Sequence, residues 1–123
     1  MVTNRRLTFA LLAELMLIAW AAHATTLFTP PLVPDGDNQL DCYLLNVSGQ
    51  TRSATIEVLT REGRVLESID VTLHSGTEAV ASVLADAQPR YCKFVVEGNK
   101  LHFRGSILVR QPGVGSVSAL SAE

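Results

Sequence analysis

Apolar positions along the chain fall into two regimes. From Leu7 to Ala22 they run almost unbroken, interrupted only by Thr8 and Glu14. Beyond Asn38 they come in short β-branched and aromatic runs, separated by turn residues at regular intervals and without helical periodicity, which is the signature of an all-β sandwich or barrel. The pattern predicts strands at 40–48, 53–60, 64–73, 77–84, 90–97 and 101–110, with weaker segments at 26–33 and 114–120. The near-continuous runs Cys42-Tyr43-Leu44-Leu45 and Phe94-Val95-Val96 read as central strands buried on both faces.

Turn residues fix registers that the fold can test. Gly98-Asn99 suits a two-residue hairpin, because both residues tolerate positive φ. Counting outward from it sets Glu97 against Lys100, Phe94 against Phe103, Lys93 against Arg104, and Cys92 against Gly105, whose missing side chain leaves room for a cross-link. Arg61-Glu62-Gly63-Arg64 predicts a second hairpin, in which Thr60 opposite Val65 brings Ile56 beside Ile69; a slip of one residue would oppose Glu57 and Glu67. Ser75-Gly76 marks a further turn.

The N-terminal regime has the layout of a cleaved export signal. Arg5-Arg6 precede the apolar run, and Ala22-His23-Ala24 is a small-x-small triplet that a signal peptidase accepts, making Thr25 the first mature residue. Sixteen residues that include Glu14 are short for an anchor across a bilayer, which takes about twenty. The expected location is therefore periplasmic or secreted. A twin-arginine signal fits less well, since Asn4 precedes the pair and Thr8 stands where such signals usually carry Phe.

Composition reads differently once split at Ala24. The first segment holds both Met and the only Trp; the remaining 99 residues carry eight Lys/Arg against eleven Asp/Glu. That mildly acidic balance argues against nucleic acid, and against a membrane surface once the signal is gone. The chain then divides into a signal (1–24), an extended lead-in (25–38) containing Pro30, Pro31 and Pro34, a sandwich domain (39–110), and a flexible tail or weak last strand (111–123). Cys42 and Cys92 lie in the part bound for an oxidising compartment, so one intramolecular disulfide is the expected state. The sequence has no C-x-x-C spacing, and each Cys sits in an apolar run that would stabilise a thiolate poorly.

Cysteines on the first firm strand and on the strand opening the last hairpin resemble the inter-sheet disulfide of immunoglobulin-like sandwiches. The motifs Cys42-x-x-x-Asn46, Cys92-x-Phe94-x-Val96-x-Gly98 and Arg104-Gly105-Ser106-Ile107, with Gly63 between them, resemble those of small exported bacterial proteins of unknown function. The likeness spans 40–110 and implies an immunoglobulin-like antiparallel β-sandwich of six to eight strands with one disulfide, and no activity.

Candidate chemistry is sparse. Only His74 and His102 follow the signal as neutral bases, no G-x-S-x-G elbow is present, and His74-Ser75 reads as a turn rather than a dyad, so no catalytic residue is assigned. Asp35-Gly36-Asp37-Asn38 with Asp41 gathers oxygen ligands, but Leu40 replaces the sharp-turn Gly and Asn46 the bidentate Glu of a calcium loop; it reads as a solvated acidic turn, with no metal and no cofactor expected. Asn46-Val47-Ser48 fits a glycosylation sequon, inert in a bacterial source, with Asn46 reading instead as a strand end that helps the Ser48-Gly49 turn. Lys93 opposite Arg104, with His102 and Arg110 on the same face, forms the one candidate contact for an anion or an acidic partner; Glu97 or Glu57 would be the neutralising alternative.

Together these readings predict a noncatalytic exported interaction module. It would touch an envelope protein or another copy of itself through an exposed strand edge, the alternative being small-ligand or anion binding at the basic hairpin face. A pilin-like subunit fits poorly, because Leu120-Ser121-Ala122-Glu123 lacks an aromatic ending.

Overall fold

A computed structural model describes residues 24–34, 38–84, 86–111 and 115–123, the side chains of 115–118 excepted. The segment read as a signal lies outside them except for Ala24, as do residues 35–37 of the acidic turn. Among the described residues there are eight strands: β1 (Ala24–Phe28), β2 (Gln39–Asn46), β3 (Arg52–Thr60), β4 (Val65–Leu73), β5 (Glu78–Leu84), β6 (Arg90–Glu97), β7 (Phe103–Gln111) and β8 (Gly115–Ser121). They form two antiparallel four-stranded sheets, sheet A in the order β1-β6-β3-β4 and sheet B in the order β5-β2-β7-β8. The expected β-sandwich is therefore the fold, and both weak segments are edge strands.

Burial alternates along the inner strands as one covered face requires. Leu40, Cys42 and Leu44 of β2 and Ile107 and Val109 of β7 meet Ile56 and Val58 of β3 and Cys92, Phe94 and Val96 of β6 in one core. The runs read as doubly buried do lie on central strands, but Tyr43, Leu45 and Val95 are only half-buried on the outer faces. Cys42 and Cys92 join the sheets across this core, their Cα atoms 5.7 Å apart and both side chains fully buried.

The Arg61–Gly63 turn makes the expected hairpin. Ile56 pairs with Ile69, and that register holds from Arg52 to Val58 before a bulge moves Leu59 opposite Val65. The lead-in, by contrast, belongs to the sheet: β1 pairs along β6, Thr29 N donates to Cys92 O, and Leu32 and Arg90 exchange backbone bonds at 2.8 Å, with Pro30 and Pro31 interrupting the ladder because they lack N–H groups.

The Gly98-Asn99 hairpin is not formed. β6 pairs with β1 and β3, β7 pairs with β2 and β8, and the link between them crosses from one sheet to the other. Only Gly98 takes positive φ (+99°); Asn99, at φ −105°, instead caps a single 3-10 turn, Lys100–His102. Its Oδ1 accepts from Leu101 N while His102 Nδ1 accepts from Asn99 N, a reciprocal cap that directs the chain out of sheet A.

Phe94 and Phe103 both remain core residues, but from opposite sheets, and Gly105 serves Phe94 rather than the disulfide. A Cβ on Gly105 would lie 2.7 Å from Phe94 Cε2 and 3.0 Å from Ala122 Cβ. Gly105→Ala is expected to destabilise by roughly 1–3 kcal/mol through overpacking alone, measurable as a lower urea midpoint at unchanged slope.

In the constant-type immunoglobulin arrangement strand B neighbours E and strand C neighbours F, as β2 neighbours β5 and β3 neighbours β6 here. The outer strands differ, since β7 lies beside β2 and β1 beside β6. The sandwich is also stitched along one side, where Phe28 and Glu123 exchange two backbone bonds of 3.1 Å between the β1 edge and the segment following β8.

Candidate functional site

The basic ladder expected at the last hairpin is dispersed by the same crossing. Lys93 lies on sheet A, where it pairs across the strand with Glu57, Nζ to Oε1 3.7 Å. Arg104 lies on sheet B opposite Leu45, its Nη1 bonding the carbonyls of Leu101 and Phe103. His102 is spent in the cap, and Arg110 Nη2 sits 3.2 Å from Asp41 Oδ2. The four residues do not share a face. Glu57 was legible as a neutralising carboxylate; the Arg110 partner was not, because it depends on β2–β7 pairing across some seventy residues.

Asp41, read above as part of a solvated acidic turn, is not solvated. It points outward from β2 yet is fully buried, Oδ1 accepting from Ser82 Oγ at 2.6 Å and from Gln39 Nε2 at 3.0 Å. Oδ2 takes no hydrogen bond, the Arg110 contact being ionic but off hydrogen-bond geometry. Among the described residues no cluster of three His, Cys, Asp or Glu side chains is arranged to hold a metal ion. His74 and Ser75 do not form a dyad either: His74 Nδ1 lies 3.1 Å from Thr51 Oγ1, and Ser75 Oγ donates to Ser48 O.

One polar side chain organises the pole of the sandwich where three connections meet. Asn46, at the end of β2, is fully buried. Its Oδ1 accepts from Ser48 N and Ser48 Oγ at 2.9 and 2.7 Å, and its Nδ2 donates to Gln50 O and Leu73 O, both at 2.8 Å. The side chain thus reads as the strand-ending turn residue expected from the sequence, and both amide hydrogens that a glycan would need are engaged inside the fold.

What the surface does offer is edges and outer faces. The β4 edge is guarded by a bulge near the hairpin and by Glu67 and Asp70, the β1 edge is tied to Glu123 just beyond β8, and the β8 edge carries a register shift against β7. β5 is different. Its sequence EAVASVL has one charge, at its first residue, no Pro and no register shift against β2, and it ends in Leu84, 84% exposed. Shallow depressions mark the outer faces. One, of 400 Å³ on sheet A, is bordered by Thr55, Asp70 and Glu97. Asp70 there accepts from Thr55 Oγ1, and Glu97 from Ser53 N. Another, of 370 Å³ on sheet B, lies over Tyr43, Leu45 and Ser106 between Glu78 and Arg104.

No protein-family model and no curated protein matches this chain. Among solved structures it is similar to the crystal structure of Thermotoga maritima 1070, an uncharacterised protein, with a TM-score of 0.53 over 81% of this chain and 94% of that one at 11% identity. At that identity the likeness shows the shared β-sandwich and nothing of what either chain binds.

Proposed function

We propose that the chain is a noncatalytic contact module of the bacterial envelope, exported and oxidised, which adds an extended strand of a partner to its β5 edge. The observation that carries this reading is the unguarded β5 edge beside a guarded β4 and a tied β1. An open edge offers a row of backbone donors and acceptors, and natural sandwiches blunt such rows unless they are used. The buried disulfide and the signal-like first segment support export. The alternative, anion binding at a basic hairpin face, loses its geometry, because Lys93 and Arg104 lie on different sheets and Lys93 and Arg110 are each already paired.

The test is positional. A photoreactive side chain replacing Leu84 on β5 is expected to capture a partner in cells that express the chain, while the same side chain replacing Leu66 on β4 captures none. Equal capture from both positions, or none from position 84, overturns the reading.

A further inference from the structure

The outer face of sheet B carries two opposite charges, one of which, Arg104, bonds only the carbonyls of Leu101 and Phe103 among the described residues. β5, β2 and β7 align Glu78, Leu45 and Arg104 in one cross-strand row, with an exposed carboxylate on one side of Leu45 and an exposed guanidinium on the other. Among the described residues neither makes an ion pair, although Lys93, Arg90 and Arg110 all do. The adjoining row sets Val80, 42% exposed, on the β5 side of Tyr43 and places Ser106 on the β7 side, where the small side chain leaves the 370 Å³ depression.

We propose that this face is self-complementary and that two copies of the chain pack sheet B against sheet B, related by a two-fold axis lying in the interface along β2. Rotation about that axis exchanges the β5 and β7 sides and leaves position along the strand unchanged. Glu78 of each copy then meets Arg104 of the other, Val80 sits over the Ser106 hollow, and Leu45 meets its own counterpart on the axis. Such a contact is isologous and closes at two copies. A second copy is the favoured occupant because the opposite charges, and the knob and hollow beside them, are disposed on either side of the same central strand. An unrelated partner would not require that symmetry.

Aligned sheets cross at about 30°, which displaces facing side chains least at the crossing point, and in the proposed dimer that point lies between these two rows. Asp41 also approaches the axis, but its charge is buried and paired to Arg110. From strand spacing and rise the patch covers about 400 Å² per copy. Since a standard interface covers about 800 Å² per partner, the dimer is weak and reversible. This contact stacks two sheets, whereas strand addition at β5 widens one sheet, so the two are tested separately.

Sedimentation equilibrium of the purified, disulfide-bonded chain between about 10 µM and 1 mM decides the matter, in the range where small interfaces associate. The unmodified chain is expected to dimerise reversibly. Glu78→Arg and Arg104→Glu, each opposing like charges twice, are each expected to weaken association at least about tenfold. An equimolar mixture of the two variants should recover it, because every pair is then complementary, and the double variant should associate like the unmodified chain. Recovery on mixing also shows that both variants are folded. A chain that stays monomeric at 1 mM, single variants that dimerise undiminished, or single variants that fail to recover on mixing would each overturn the proposal. None of these outcomes bears on capture from position 84.

Discussion

Replacing Cys42 and Cys92 with alanine is expected to lower the thermal midpoint by roughly 16–32 °C, the largest effect of any change discussed for this chain. The bridge closes a loop with a sequence separation of 50, and on the chain-entropy account opening it returns to the unfolded ensemble freedom worth about 4 kcal/mol. A domain of this size holds a net stability of about 5–15 kcal/mol, so much of its margin rests on one bond. Position adds to the effect. The two sulfurs cross the middle of a core otherwise built mainly from Leu, Ile and Val, with two Phe, and alanine there also leaves a cavity. Calorimetry of the double variant beside the parent, under oxidising conditions, checks this. A midpoint within a few degrees of the parent would show that the core alone holds the sheets together.

Asn46→Asp is expected to cost about 3 kcal/mol or more, and more than Asn46→Ala, measured by urea unfolding at neutral pH. Alanine takes the amide donor away from the carbonyls of Gln50 and Leu73, leaving Gln50 O with Ser48 Oγ at 3.0 Å, and takes the acceptor away from the amide of Ser48. Aspartate keeps the acceptor toward Ser48 but aims a charged oxygen at those two carbonyls, where the amide nitrogen had donated at 2.8 Å. Loss of this residue loosens several connections together, since its backbone also bonds Thr77 and Gly76 of the β4–β5 link, and the neighbouring Val47 N bonds His102 O of the β6–β7 link. Faster amide exchange at Ser48 and Gly76 is the accompanying sign. Equal stability of the Asp and Asn forms would contradict the assignment of Nδ2 as the donor.

The parts of the fold that were legible in the sequence are those set by short-range rules. Alternating burial, the Gly63 turn and the β-branched runs placed six strands, and a signal-like first segment made the Cys42–Cys92 bridge the expected pairing. The Ile56–Ile69 register followed from charge avoidance at Glu57 and Glu67, which the structure satisfies. What escaped is what sheet membership decides. Gly98-Asn99 chemistry serves a hairpin or an arch equally well, and the choice was made by the Asn99–His102 cap and by competition for the β6 edge, which β1 takes. The hairpin register would have stacked Lys93 on Arg104, and that conflict was the sequence's own warning against it. β8 was faint because its small residues become a strand only through β7 alongside. At the candidate site, the loss was the same: the partners of Arg110 and the Glu78–Leu45–Arg104 row exist only once distant strands are paired.

The strand order also governs how the chain can fold as it is made. Chains emerge with their N-terminal end first, and among the described pairings only β3–β4 and β7–β8 join strands that follow one another along the chain. β1 must wait for β6, and β2 for β5 and then β7, so Cys42 meets its partner only after some fifty more residues have appeared. Folding dominated by such distant pairings is slow, on the order of milliseconds to seconds. Throughout that interval the Leu40–Leu45 run is an unpaired apolar strand with a free thiol at its centre. The period of greatest risk to this chain therefore falls during its synthesis, before the last third has arrived to cover the first.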